Sequence, residues 1–99
     1  MTKPSNKMRA VHPGEILRED FLAPAGMSVN ALATALRVPA TRLHEIVNER
    51  RGISADTAMR LARYFGGDAQ SWLNLQSVYD LKTLATASVI EKEVFPRAA

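Results

Sequence analysis

"ALATALRVPATRLHEIV", Ala31 to Val47, holds two short apolar stripes with Leu36-Arg37-Val38-Pro39 between them. Val29, Leu32, Ala33 and Leu36 follow the i, i+3, i+4, i+7 spacing of one helix face. Leu43, Ile46 and Val47 start a second face beyond the break. Proline has a fixed φ and no N–H, so Pro39 ends one helix and opens another. Two short helices joined this way make a helix-turn-helix when one braces the other at a steep angle. Ala33 supplies the small side chain needed where they cross. Leu32 and Leu36 pack beneath it, and Leu43 and Ile46 hold the second helix down. What remains of that second helix is Pro39, Ala40, Thr41, His44, Glu45 and Asn48, one period apart and free to enter a major groove. Many such turns carry glycine for a left-handed backbone; Arg37 must accept that conformation or turn differently.

The rest of the chain reads as helix on both sides of this pair. His12-Pro13-Gly14-Glu15 opens a first helix with Ile16, Leu17, Phe21 and Leu22 inward, closed by Pro24 and Gly26. Ser28 caps the second helix. The third runs from about Ala40 to Asn48, and Arg50-Arg51-Gly52 is a loop. Ser54 caps a fourth helix with Ala58, Leu61, Ala62 and Phe65 as its stripe, ended by Gly66-Gly67. Asp68 caps a fifth, through Trp72, Leu75 and Tyr79 to about Ala85. The segment from Thr86 to Ala99 is ambiguous, with Val89 to Val94 open to a helix that Pro96 would stop. Residues 1–10 read as a flexible polar tail, 11–85 as one all-α domain of five helices, and 86–99 as a C-terminal extension. No alternation of period two marks a strand.

Composition narrows the function. The 99 residues suit one domain, and 46% hydrophobic content excludes a disordered chain. No cysteine is present, so neither a disulfide framework nor a thiolate zinc site is available. No apolar run approaches the roughly 20 residues that span a bilayer, and the basic start lacks a signal-peptide core. A soluble cytoplasmic protein with no membrane partner is the expectation. The net charge of +3 concentrates in residues 37–63, where six arginines face Glu45, Glu49 and Asp56. A basic middle suits a polyanion; a solvated arginine surface is the plain alternative.

No catalytic constellation stands out. "HEIVN" (44–48) falls one residue short of a zinc-protease signature, because Asn48 stands where the second histidine would be. His12 has no nucleophile partner and reads as structural. Neither a cofactor nor a metal is expected, and the chain does not read as an enzyme.

The five-helix frame resembles the Xre/Cro-like helix-turn-helix family. "HPGEIL" (12–17), "RRGISADTAMRLARYFG" (50–66) and "WLNLQSVYDL" (72–81) are similar to the HigA/VapI-type antitoxins within it, over about residues 9–85. The resemblance implies a dimeric repressor of its own operon that also holds inactive a RelE/ParE-like, HigB-type mRNA-cleaving toxin. A stand-alone Xre-type regulator, or a helical interaction module without DNA specificity, is the alternative.

On this frame the base-reading candidates are Pro39, Ala40, Thr41, His44 and Glu45. Threonine can touch a thymine methyl and glutamate can accept from cytosine N4, although Glu45 could instead pair with a neighbouring arginine. Ser28, Asn30, Arg37, Arg42, Asn48, Arg50 and Arg51 are candidates for the DNA backbone. Trp72, Leu75, Val78, Tyr79 and Leu81 make the fifth helix more apolar than one stripe requires, so it should both close the domain and form a two-fold interface. Glu15, Glu19 and Asp20 form an acidic surface away from the reading face, suited to a basic toxin.

Overall fold

A computed structural model describes residues 9–98, and it is helical throughout with no strand among them. The first eight residues of the expected N-terminal tail lie outside the described residues. Arg9, within that expected tail, is tied down: it pairs with Glu15 at 2.9 Å, and its carbonyl accepts from Lys82 Nζ.

α1 is composite. It runs as Pro13–Ile16, continues as a π-helical stretch Leu17–Leu22, and ends in a last turn Ala23–Ala25. The π winding has a packing reason. In an α-helix, residues five apart sit about 140° apart around the axis. The wider i→i+5 turn brings Leu17 and Leu22 onto one face, and both are buried. Pro24 does not close this helix, as the sequence suggested; it sits inside the last turn, and Gly26 at φ 61° makes the stop.

α2 (Val29–Leu36) is capped by Ser28, whose hydroxyl accepts from the Ala31 N–H at 3.0 Å. Arg37 ends it at φ 61° and ψ 44°, so the arginine does adopt the left-handed turn usually given to glycine. Pro39 then opens α3 (Ala40–Val47). α4 (Ala55–Phe65) is capped by Ser54, and α5 (Ala69–Thr83) by Asp68, which accepts from the Ser71 N–H at 2.7 Å. α5 ends two residues before the expected Ala85. α6 (Ala87–Glu93) settles the ambiguous extension as a helix, starting two residues earlier than Val89.

α1 packs on α3 and α5, α2 on α3 and α4, and α4 on α5. Leu17, Leu32, Leu43, Ile46 and Leu61 are fully buried where these contacts meet. Each contributes roughly 1.5–3 kcal/mol by leaving water. Phe21 joins α1 to α4 and α5, with its ring centroid 4.9 Å from Phe65 and 5.2 Å from Trp72. Thr57 is buried as well, its hydroxyl accepting from Ser54, and the stripe read from α4 missed it. α6 and the end of α5 contribute nothing to this core: every described residue from Asp80 onward is exposed.

His12 closes the N-terminal end of the core. It is 3% exposed, its Nδ1 accepts from the Gly14 N–H at 2.8 Å, and its ring meets Tyr79 edge-on at 4.8 Å. Only the neutral ring can accept at Nδ1. Burial lowers its pKa, outweighing the opposing pull of Glu49 and Asp80. The unfolded chain therefore binds the proton more readily than the folded one. Stability from this group is complete above the ordinary histidine value near ~6.5 and is lost as pH falls below it toward the folded pKa. The urea midpoint should drop between pH 7.5 and 5.5. His12→Asn, which keeps a cap acceptor, should flatten that drop. Equal pH dependence in both proteins would remove His12 as the cause.

Candidate nucleic-acid interface

α3 presents a polar face because its apolar side is consumed by Leu43, Ile46 and Val47. Pro39, Thr41, His44 and Asn48 are exposed along it. Ala40 is half-buried, with part of its side chain packed against the core. Glu45 is half-buried and pairs with Arg51 at 2.9 Å, the arginine partnership weighed against base reading. His44 Nε2 lies 3.0 Å from Asn30 Oδ1, which joins the reading face to the start of α2. That contact ties up the outer ring nitrogen of His44 in the free chain.

The basic rim divides in two. Arg37 and Arg50 are exposed. Arg42 is held by Asp56, with Nη1 3.1 Å from Oδ2, and Asp56 also binds Arg60 Nε at 2.9 Å. The other arm of Arg60 donates to the Leu36 carbonyl at the end of α2, at 2.9 Å. These arginines, Arg60 foremost through its hydrogen bond, hold the Asp56 carboxyl below the usual carboxylate range. Asp56 and Arg60 were missed as site residues. Their i, i+4 spacing was readable; the link to Arg42, fourteen positions away, was not.

α3 is also braced from behind. Arg18 of α1 donates to the Val47 carbonyl and lies 3.6 Å from Glu49, so a side chain from the first helix satisfies the end of the reading helix. Glu49 itself stands at φ 63°, the bend that turns the chain toward Arg50 and Arg51.

The other expected surfaces are less uniform. Trp72 is only 5% exposed and lies inside the core, so of the two places open to it, the interface or the core directly behind, it takes the core. Leu75 and Tyr79 are half-buried, while Val78 and Leu81 are exposed. Of the acidic trio, Glu15 binds Arg9 through both oxygens, which lowers its pKa, and Glu19 binds Arg18 at 2.9 Å. Asp20 is exposed. Among the described residues no group of three acidic, histidine or cysteine side chains is placed to hold a metal, and no helix is long and apolar enough to cross a membrane.

Residues 17–72 match the helix-turn-helix family. Virulence-associated protein I of Dichelobacter nodosus is 68% identical over 77 residues, covering 78% of this chain and 71% of that protein. The Pseudomonas aeruginosa antitoxin HigA, solved with the higBA promoter, is 52% identical at a TM-score of 0.87, covering 91% of this chain and 100% of that one. Another P. aeruginosa structure, of a chain in complex with its 18-bp operator DNA, is 53% identical at a TM-score of 0.85, covering 93% and 99%. The chain belongs to the Xre-like helix-turn-helix family, in its HigA/VapI antitoxin branch. That family consists of DNA-binding regulators rather than enzymes.

Proposed function

We propose that this chain binds palindromic operator DNA as a homodimer, represses its own operon, and neutralises a HigB-type mRNA-cleaving toxin encoded beside it. The observation that carries the DNA reading is the exposed row Thr41, His44 and Asn48 on α3, flanked by Arg42, Arg50 and Arg51. The relatives solved on operator DNA support it, since they align over nine-tenths of this chain. A two-fold dimer places two such rows on half-sites about 34 Å apart. Thr41 and His44 read base edges, with Pro39 and Glu45 beside them. Ser28, Asn30, Arg37, Asn48, Arg50 and Arg51 follow the phosphates. The work is cytoplasmic, where operator and ribosome are both reached.

Gel shifts on an inverted-repeat duplex and its base-substituted versions test these roles. Thr41→Ala is expected to cost about 5- to 160-fold on the best site, or about 1–3 kcal/mol, and to relax preference at one position. Arg50→Ala should weaken all duplexes alike and lower the salt slope by about one. The opposite pattern, with Arg50→Ala altering base preference and Thr41→Ala doing nothing, reverses the two roles.

The toxin surface is proposed on the outer side of α1, at Glu15, Glu19 and Asp20, away from α3. Glu15 and Glu19 are poor test positions, because removing them releases Arg9 and Arg18, and Arg18 braces the end of α3. Charge reversal at Asp20 is therefore the experiment. It should weaken capture of the neighbouring gene product at low salt and leave operator binding intact. Unchanged capture moves the toxin contact elsewhere. A neighbouring product that is harmless when expressed alone leaves a plain Xre-type regulator.

A further inference from the structure

The carboxylate of Asp56 stands where a DNA-binding surface should least want one. Arg42, Arg51 and Arg60 line one recess with Ser54, at the start of α4 beside α3, and Asp56 is in that recess with them. Its side chain is 57% exposed, so phosphate brought to this rim would meet a negative charge. Its ion pairs are exposed enough that they add little to folding stability. What Asp56 does is direct Arg42. The guanidinium sits 3.1 Å from Oδ2, and the carboxylate is itself fixed by Arg60, which is anchored on the Leu36 carbonyl. The chain of contacts runs from the end of α2 through α4 to the first turn of α3.

We propose that Asp56 is a positioning residue for DNA discrimination: it pins Arg42 in the direction the operator requires and penalises duplexes that pull Arg42 away. A free arginine at the mouth of α3 would reach any phosphate. In the pinned arrangement, a duplex that fits α3 leaves the Arg42–Asp56 pair in place. One that does not fit must break the pair and set the Asp56 carboxylate, left with Arg60 alone, against its backbone. Specificity gained by taxing the wrong partner lowers overall affinity and raises the ratio between sites.

This rests on the DNA reading above. The test is titration of the full chain with two probes over a range of salt: the promoter duplex upstream of its own gene, and a scrambled duplex of the same composition. Asp56→Asn should raise affinity for the scrambled duplex about fivefold and steepen its salt slope by about one. The promoter-to-scrambled ratio should fall about five- to tenfold. Asp56→Glu, which restores the charge, should recover most of the ratio, and with Arg42 already alanine, Asp56→Asn should no longer lower it. Thermal melts of each variant follow folding separately. An unchanged ratio and slope in Asp56→Asn overturns the proposal. So does equal weakening of both probes with a lowered melting temperature, which would make the pair merely structural. A wild-type chain with no preference for the promoter duplex removes the DNA reading itself, and this proposal with it.

Discussion

Gly14→Ala is expected to destabilise the fold by about 3 kcal/mol, lowering the melting temperature of a chain this size by about 12–24 °C. A Cβ built at Gly14 falls 1.8 Å from the Ile46 carbonyl oxygen and 2.8 Å from its carbon. Those atoms belong to the backbone of α3 and cannot rotate aside. The start of α1 must lift away from α3, and the His12 cap on the Gly14 N–H is strained with it. Alanine's better helix propensity returns at most about 1 kcal/mol and is outweighed. Gly26→Ala is the control. Gly26 stands at φ 61° with nothing within 4 Å of its would-be Cβ, so it carries backbone strain without collision, about 1 kcal/mol. Urea titrations showing Gly14→Ala no worse than Gly26→Ala would mean that the two helices do not meet through this glycine. The damage should reach DNA binding as well, because the displaced partner is the reading helix.

That contact also marks where reading a sequence stops. His12-Pro13-Gly14 was legible as a helix start, since proline and an acid in the first turn are local signals. The reason for glycine was not, because it lies with Ile46, thirty-two positions on. The same division runs through the whole molecule. Ser28, Ser54 and Asp68 announced their helices through caps that bond within three residues. The π stretch of α1 left no such trace: its backbone pattern follows from burying Leu17 and Leu22 together, a demand set by the core. In the site, the exposed row Thr41, His44 and Asn48 followed from periodicity alone. The pairs that lock its surroundings, His44 with Asn30 and Arg42 with Asp56, join different helices and depend on their placement. The depth to which Ala40 and Trp72 are buried was hidden for a related reason. Spacing says which side of a helix a residue occupies, but not how far a neighbouring helix reaches around it.

Leu81→Asp is expected to convert a homodimer into a folded monomer and to reduce operator affinity at least 100-fold. Leu81 is 75% exposed, the farthest from solvent protection among the large apolar side chains of α5. Val78 and Leu84 on the same stretch, and Val89, Ile90, Val94 and Phe95 beyond it, are also exposed. A lone chain seldom leaves so many large apolar side chains of one region in water. A second copy would cover it, and two-fold symmetry makes one substitution count twice. Losing about 2 kcal/mol of burial per copy, with a buried charge added, raises the dissociation constant by about 1,000-fold or more. The monomer keeps its reading helix but grips a single half-site, so the second half-site's contribution is lost. Trp72→Ala separates this from general damage. That ring belongs to the core of one chain, and its removal should cost about 3–5 kcal/mol of folding stability instead. Sedimentation of both variants beside the wild type at tens of micromolar, with helicity followed by circular dichroism, decides the matter. A wild-type chain that runs as a monomer with full helicity eliminates the α5 interface, and the palindromic operator would then have to be read by two chains that meet only on the DNA.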